Sequence, residues 1–232
     1  MKKSAALLSM IVWMNIAAAQ STTTATTGAF ASYFSAGPRV GINFSTISGA
    51  TSAESKTGLL TGAFLVYSFQ EHFGVGIDAL YSMEGAEYTE TDIIGVTTVN
   101  SEVKDRLNYL RFPVQANVFF GQYGNPFRPK VTLGPVIGFL LNAERKASVT
   151  VEDGTVTTLE SSTADVKDNY TATDFGAMLG AGFNLRIMEM TWFNFDARYY
   201  LGATDIRDIR PVGSDERKNN TFSLSAGVAF GF

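Results

Sequence analysis

The chain has 232 residues, with 18 lysines and arginines against 22 aspartates and glutamates, and it contains no cysteine. Its charged fraction of 17% lies below the roughly 25% typical of soluble domains, which favours a chain of finely interleaved apolar and polar residues. The lack of cysteine excludes disulfides, Cys-zinc sites and iron–sulfur clusters, and the single histidine excludes a multi-histidine metal centre. A pI near 5.1 argues against a nucleic-acid partner. We therefore expect no metal, no cofactor and no nucleic acid.

The N-terminus has the pattern of a secretory signal peptide. Two lysines precede an apolar run over residues 5–19, and the alanines that end with Ala19 form a small-residue cleavage pattern before Gln20. A run of about 15 residues is too short to span a bilayer as a helix, which takes roughly 20; an uncleaved anchor is the alternative. We expect a signal peptide over 1–19 and a Thr-rich linker over 20–37.

The rest of the chain alternates apolar and polar residues with a period of two, the pattern of strands that have two different faces. The alternation is clearest in 73–84, where one face is wholly apolar and the other holds glycine and polar residues with a single leucine. The pattern predicts strands over 38–47, 59–69, 73–84, 106–120, 130–142, 173–185, 192–202 and 221–232.

The connections between these strands are alternately long and short. They span 48–58, 70–72, 85–105, 121–129, 143–172, 186–191 and 203–220. Outer-membrane barrels have an even number of strands, short periplasmic turns and long outer loops. We therefore predict an all-β fold: an eight-stranded antiparallel transmembrane β-barrel, an up-and-down meander, over residues 38–232. The alternative fold is a soluble lipocalin-like barrel, whose apolar face would turn inward around a ligand.

Eight charged residues lie on the predicted inner faces of the strands. Four are positive and four are negative: Arg39, Arg111, Lys130, Arg198, Asp78, Glu84, Asp174 and Asp196. Eight strands enclose an interior only wide enough for side chains, and buried charges must be paired. We therefore expect a salt-bridge network that fills and stiffens the barrel, with an ion or proton path through the lumen as the alternative.

Several strand segments resemble those of a known family. They are Leu80–Gly85, Asn108–Val114, Leu133–Pro135, Asp174–Gly176, Gly180–Gly182 and Ala197–Gly202, followed by a terminal aromatic residue, Phe232. In this order and spacing they resemble the PorT-like outer-membrane β-barrel proteins of Bacteroidota, often labelled "porin family", over residues 38–232. The resemblance implies a barrel in the outer membrane of a Gram-negative bacterium, and it implies no catalytic residues. Segments 143–172 and 203–220 show no family pattern.

The sequence offers little for catalysis. A nucleophile in a barrel of this size needs an activating base, usually histidine, and the only histidine, His72, lies in the short turn 70–72. Asp174 and Asp196 lie on neighbouring predicted strands, but hydrolysis by paired carboxylates would need an open cleft. We therefore expect no enzyme activity.

The predicted outer loops hold most of the negative charge. Segment 85–105 carries five acidic residues against one lysine, and segment 143–172 carries six against three basic residues. We expect contacts with outer-membrane lipid and lipopolysaccharide, and secretion or surface partners through these loops. Divalent cations that bridge Glu152 and Asp153, and Asp215 and Glu216, to lipopolysaccharide are an alternative to a merely solvated surface.

Aromatic residues lie near both ends of the predicted strands, as in the girdles of membrane proteins; Tyr81 and Tyr109 are examples at the outer end. The last strand ends in Phe230 and Phe232. A terminal aromatic strand resembles the signal that the barrel-assembly machinery reads, so we expect that machinery as a partner.

These features predict an integral outer-membrane β-barrel protein with a filled polar lumen and acidic extracellular loops, in a structural or surface-interaction role. Two alternatives stay open: a narrow porin for small solutes, and an accessory barrel of a protein-secretion machine, as for the namesake of the resembled family. Barrel strands by themselves do not decide among these roles.

Overall fold

The computed structural model describes residues 33–49, 53–94, 97–122, 124–153, 156–208 and 215–232. The predicted signal peptide, its cleavage site between Ala19 and Gln20, and residues 20–32 of the predicted linker lie outside these residues. The described residues form antiparallel strands: β1 (Tyr33–Ser48), β2 (Ala53–Ser68), β3 (Phe73–Ile94), β4 (Thr97–Phe119), β5 (Phe127–Asp153), β6 (Val156–Asp165), β7 (Thr173–Met188), β8 (Thr191–Gly202) and β9 (Lys218–Gly231). None of the described residues forms a helix long and apolar enough to cross a membrane.

Eight of these strands close into a ring. Neighbouring strands pair antiparallel from β1 to β5, then β5 pairs with β7, β7 with β8 and β8 with β9. Strand β9 returns to β1, where Val40 lies opposite Ala226. The predicted eight-stranded antiparallel meander is confirmed, with one additional strand, β6, outside the ring.

The ring turns its apolar face outward. Val75 and Ile77 are 47% and 44% exposed, whereas the neighbouring Asp78 is 1% exposed. A closed ring of strands pairs its main-chain N–H and C=O groups internally, as the hydrocarbon layer of a membrane requires. The lipocalin-like alternative is wrong, because that fold would place the apolar side chains inside.

Strand β1 begins before residue 38, where the alternation predicts the start of the barrel. Tyr33 pairs with Ser68 of β2, and Ser35 pairs with Gly231 of β9. The barrel therefore takes in residues 33–37 of the predicted linker. The alternation misses this segment because it has an aromatic residue on each face: Tyr33 stacks on Trp192, and Phe34 is exposed.

The predicted loop 85–105 is a continuation of two strands, since β3 runs to Ile94 and β4 begins at Thr97. The predicted loop 143–172 likewise contains the outer end of β5 and all of β6, which pair with each other. We define the outer sheet as residues 86–94, 97–105, 144–153 and 156–165. It extends the barrel wall beyond the membrane-spanning part of the ring. The alternation does not predict it because neither of its faces meets lipid: most of its described residues are exposed or partly exposed, whereas Ala86 and Asp105 are buried against the lid.

Candidate functional site: the lumen and the outer mouth

Asp78 of β3 is the centre of a network in the lower half of the lumen, the half nearer the short periplasmic turns. Its Oδ2 atom accepts hydrogen bonds from Arg39 Nη1 at 2.9 Å and from Arg198 Nη1 at 2.6 Å. Its Oδ1 atom accepts a hydrogen bond from Gln115 Nε2 at 2.8 Å. These side chains come from β1, β3, β4 and β8 and are buried. One carboxylate therefore joins strands on opposite sides of the ring.

Asp196 of β8 is the second acidic centre of this lower network. Its Oδ2 atom lies 2.9 Å from Arg39 Nη2 and 3.5 Å from Arg198 Nη2. Lys130 of β5 places its Nζ atom 3.0 Å from the Oδ1 atom. Arg39 thus lies between two carboxylates, and every charge in the lower network has a partner of opposite sign, as burial demands.

Arg111 of β4 is the centre of the upper network. It donates to both carboxylate oxygens of Glu84, through Nε and Nη2, at 2.6 Å each. Its Nη2 atom also donates to Asp174 Oδ2 at 2.8 Å. The guanidinium carbon lies 4.6 Å and 4.1 Å from the ring centroids of Tyr109 and Tyr200. Paired hydrogen bonds to a carboxylate and contact with aromatic rings both suit arginine better than lysine.

Polar neighbours complete the upper network. Ser82 donates to Glu84 Oε1 at 2.7 Å, and Asn219 Nδ2 donates to Asp174 Oδ2 at 3.0 Å. The structure therefore places all eight predicted lumen residues inside the barrel, in two networks. The lower one holds Arg39, Asp78, Lys130, Asp196 and Arg198, and the upper one holds Glu84, Arg111 and Asp174.

Some inward residues differ from the sequence-based expectation. Tyr109, an expected girdle residue, is fully buried beside Arg111. The sequence reading is wrong here because Tyr109 lies one residue before the outward-facing Leu110, and the period of two turns it inward. Asp174 and Asp196 do not form a carboxylate pair, since Asp196 lies opposite Gly182, well along β7 from Asp174.

Two connecting segments cover the outer mouth of the barrel. We define the lid as residues 166–172 and 203–208. The two segments are joined by main-chain hydrogen bonds from Thr171 N to Ile206 O at 2.8 Å and from Asp208 N to Asn169 O at 3.1 Å. Tyr170 and Ile206 of the lid are buried in an apolar cluster with residues that face inward from the strands: Ile47, Ala86, Leu107, Tyr109, Leu140 and Ala143. The lid therefore closes the mouth with apolar side chains.

A charged latch holds the lid to the outer sheet. The Tyr170 hydroxyl donates to Asp105 Oδ2 at 2.8 Å, and Arg145 donates to both oxygens of the same carboxylate at 2.6 and 2.8 Å. Burial, followed by the nearby Asp105 carboxylate, raises the pKa of Tyr170 above its usual range, so its hydroxyl keeps its proton at neutral pH. The sequence does not predict the latch or the lid. The only signal for them in the sequence is the presence of isolated apolar residues within polar loops.

Lys56 also faces this latch, above Leu59, the first outward apolar residue of β2. Its Nζ atom donates to the main-chain oxygen of Asp105 at 2.8 Å, and its side chain is buried. Burial, together with the nearby Arg106 cation, lowers the pKa of Lys56 to about 8. The amine therefore loses its proton at a lower pH than an exposed lysine does.

The periplasmic end is closed by aromatic rings. Trp192, Phe64 and Ala229 form a buried cluster, and the Tyr33 ring stacks on Trp192 at 6.0 Å between centroids. Arg128 lies over the Phe119 ring at 4.9 Å and donates to the main-chain oxygen of Glu71.

Within the described part of the barrel, two cavities leave little room. The volume available to the centre of a water molecule is about 20 Å³ in the cavity beside Lys130 and Trp192. It is about 40 Å³ in the cavity beside Arg111 and Arg198. A single water needs roughly 10–15 Å³ on this measure, so these spaces are water-sized.

The predicted assembly signal lies where the ring closes. Phe34 N donates to Phe232 O at 3.1 Å, and Phe232 N donates to Phe34 O at 2.9 Å. The two rings stack at 6.0 Å, and Phe230 and Phe232 are 45% and 58% exposed.

His72 is an exposed turn residue, whose Nδ1 atom lies 3.1 Å from the main-chain oxygen of Phe119. Among the described residues, no group of three or more acidic or histidine side chains is placed to hold a metal ion.

A closed ring of antiparallel strands with an apolar exterior and a charged, filled interior defines an integral membrane β-barrel. Residues 18–208 match the family described as "Outer membrane protein beta-barrel domain". The chain belongs to this family, and its location is the outer membrane of Gram-negative bacteria.

Solved structures similar to this chain are also outer-membrane barrels. The N-terminal barrel domain of Pseudomonas aeruginosa OprF is 15% identical, with 84% of this chain and 97% of that chain covered and a TM-score of 0.37. Neisserial surface protein A is 13% identical, with coverages of 87% and 99% and a TM-score of 0.42. Ail of Yersinia pestis is 16% identical, with coverages of 84% and 98% and a TM-score of 0.35. No curated protein matches the chain in sequence.

Proposed function

We propose that this protein is a plugged barrel, a rigid outer-membrane anchor that presents an acidic outer sheet to partners at the cell surface. The observation that carries the proposal is the hydrogen bond of 2.6 Å between Arg198 and Asp78 across the lumen. It links strands from opposite sides of the ring at the level where a pore would have to be open.

The energetics weigh against the narrow-porin alternative. Breaking a buried ion pair by removing one partner costs about 3–5 kcal/mol, because the remaining charge stays buried without a partner. A solute path would have to separate the lower network, the upper network and the apolar contacts of the lid. An ion path through the same lumen would meet the same obstacles.

The outer sheet supports the surface-interaction part of the proposal. Residues 144–165 carry five acidic residues against two basic ones. Exposed strands that carry charge and lie outside the membrane can contact other molecules without disturbing the barrel. We propose surface partners there and lipopolysaccharide and other outer-membrane lipid around the apolar band, without catalytic activity.

We propose two further partners from the sequence. The C-terminal strand, with Phe230 and Phe232, would be read by the barrel-assembly machinery. The PorT-like resemblance adds the role of an accessory barrel in a protein-secretion machine. That role would show as partners that co-purify with the protein from its own membranes and as loss of secretion when the protein is deleted.

Swelling of proteoliposomes tests the plugged barrel. Folded protein, identified by its heat-shifted band on gels, is placed in vesicles that are then diluted into an isotonic solution of a small sugar. We expect swelling no faster than in vesicles without protein. Swelling that increases with the amount of folded protein would contradict the proposal and support a narrow porin.

A further inference from the structure

Strand β6 has one edge that pairs with no other strand in the described part of the chain. It lies at the end of the sheet order and pairs only with β5, from Glu144 opposite Asp165 to Asp153 opposite Val156. Within the ring, in contrast, each strand has a neighbour on each side; in the outer sheet, residues 89–94 of β3 also pair with only one described strand, β4. Strand β6 therefore offers main-chain donors and acceptors on its other edge.

The hydrogen-bond pattern identifies which residues face that edge. Val166 N donates to Ala143 O at 3.0 Å, so these two residues form a hydrogen-bonded pair. In an antiparallel ladder such pairs alternate with pairs that are not bonded. Counted back from Val166, every second residue of β6 therefore bonds to β5. The residues between them direct their N–H and C=O groups to the free edge: Thr157, Leu159, Ser161 and Thr163.

Apart from its two acidic residues, this edge lacks the features that usually prevent strand pairing. Proteins protect exposed edge strands with lysine, proline, bulges or very short length. Strand β6 has ten residues, contains no lysine or proline, and keeps an unbroken register with β5. Leu159, on this strand, is 67% exposed. The edge is thus open to an added strand.

Charge selects the kind of strand that would be added. Strand β6 carries Glu160 and Asp165, both exposed, and no basic residue. A second copy of this strand would bring four acidic side chains into one ladder, and like charges across a ladder are destabilising. A basic segment would instead place its lysines or arginines beside these carboxylates.

We propose that β6 binds a basic, extended segment of a partner protein, which adds to the outer sheet as a further antiparallel or parallel strand. The main-chain groups of Thr157, Leu159, Ser161 and Thr163 supply the hydrogen bonds, and Glu160 and Asp165 supply the charge selectivity. Addition of a strand to a sheet edge is a recurring mode of peptide recognition. The inference rests on the proposed role in surface contacts and names the edge and the chemistry.

Hydrogen exchange of the folded protein in detergent tests the proposal. The probe is a synthetic peptide of threonine and valine with lysines on both faces of the strand, because Glu160 and Asp165 are five residues apart and lie on opposite faces of β6. The control peptide has glutamate in place of each lysine. We expect the basic peptide to slow exchange at alternate residues of β6, at least tenfold at Ser161 and Thr163. The acidic peptide should leave the exchange rates unchanged.

A matched pair of variants isolates the edge. Ser161→Pro removes one N–H from the free edge, a place where strands tolerate proline, whereas Ser161→Ala keeps that N–H. We expect the proline variant to lose the protection at Thr163 and the alanine variant to keep it, with both proteins showing the same heat-shifted band. In the double variant Glu160→Gln, Asp165→Asn, the basic peptide should bind at least tenfold more weakly.

Three outcomes would overturn the proposal. These are no protection by the basic peptide, equal protection in the proline variant, and protection that grows with protein concentration without peptide, which would identify a second copy as the occupant. Each leaves the plugged barrel intact, because vesicle swelling tests that function separately.

Discussion

Arg198 of β8 and Asp78 of β3 lie on opposite sides of the eight-stranded ring, and their side chains meet at 2.6 Å in the middle of the lumen. Four strand-to-strand steps separate them along the wall in either direction. Their hydrogen bond therefore acts as a strut across the barrel. With the lid above it and the aromatic cluster below it, the strut explains how a barrel with a charged interior is closed.

Replacing Asp196 by alanine should destabilise the barrel. The change leaves Lys130 without its carboxylate partner and takes one of two from Arg39. We expect a loss of about 3–5 kcal/mol, the usual cost of an unpaired buried charge, seen as a lower unfolding temperature in detergent. Glu160→Ala, at an exposed position outside the barrel, is the control. Identical melting curves for Asp196→Ala and the native protein would show that the network does not stiffen the fold.

Replacing Tyr170 by phenylalanine should loosen the lid. The variant keeps the ring in its apolar cluster but loses the hydrogen bond to Asp105, and hydrogen bonds to charged groups contribute about 1.5–3 kcal/mol. We expect trypsin to cleave faster after Lys167 in the lid. Tyr199→Phe, on an exposed outward face, is the control. A cleavage rate equal to that of the native protein would mean that the apolar contacts alone hold the lid.

Lys56 makes the stability of the outer mouth depend on pH. Its pKa is about 8 in the folded protein and 10.5 for an unperturbed lysine, so between these values the unfolded state holds a proton that the folded state lacks. Stability therefore rises with pH across this window. Buried Tyr170 acts in the opposite direction once unfolded tyrosines lose their protons near pH 10.

The measurement that isolates Lys56 compares denaturant unfolding of the native protein and Lys56→Met at pH 7, 8, 9 and 10. The free energy of unfolding of the native protein, minus that of the variant, should increase from pH 8 to pH 10. A difference that stays flat, or that shrinks, would show that Lys56 does not titrate in this range.

Deletion of Phe232 should reduce membrane assembly more than it reduces the melting temperature of refolded protein. The residue contributes two hydrogen bonds and one ring contact to Phe34. Phe34→Ala is the matched control, because it removes the same ring contact and leaves the C-terminus complete. If deletion lowers assembly and melting temperature in the same proportion as the control does, Phe232 has a purely structural role.

The alternation predicts the ring because one face of a membrane strand meets lipid and the other meets the barrel interior. The eight charged residues on the predicted inner faces are buried within the ring. The alternation cannot predict which charges pair, since Arg198 and Asp78 are 120 residues apart in sequence and meet only when the ring closes. It also misses β6 and the outer sheet, because neither face of that sheet meets lipid. The alternation also gives no signal for Tyr170 and Ile206, because residues that make contacts between connecting segments do not recur at a regular spacing in the sequence.

Planar-bilayer conductance of folded, heat-shifted protein tests the closed lumen most directly. The strut between Arg198 and Asp78, the lid and the aromatic cluster together predict silence at voltages at which the bilayer is stable. Discrete, reproducible openings that scale with the amount of folded protein would contradict the account and show that the charged lumen is an aqueous path.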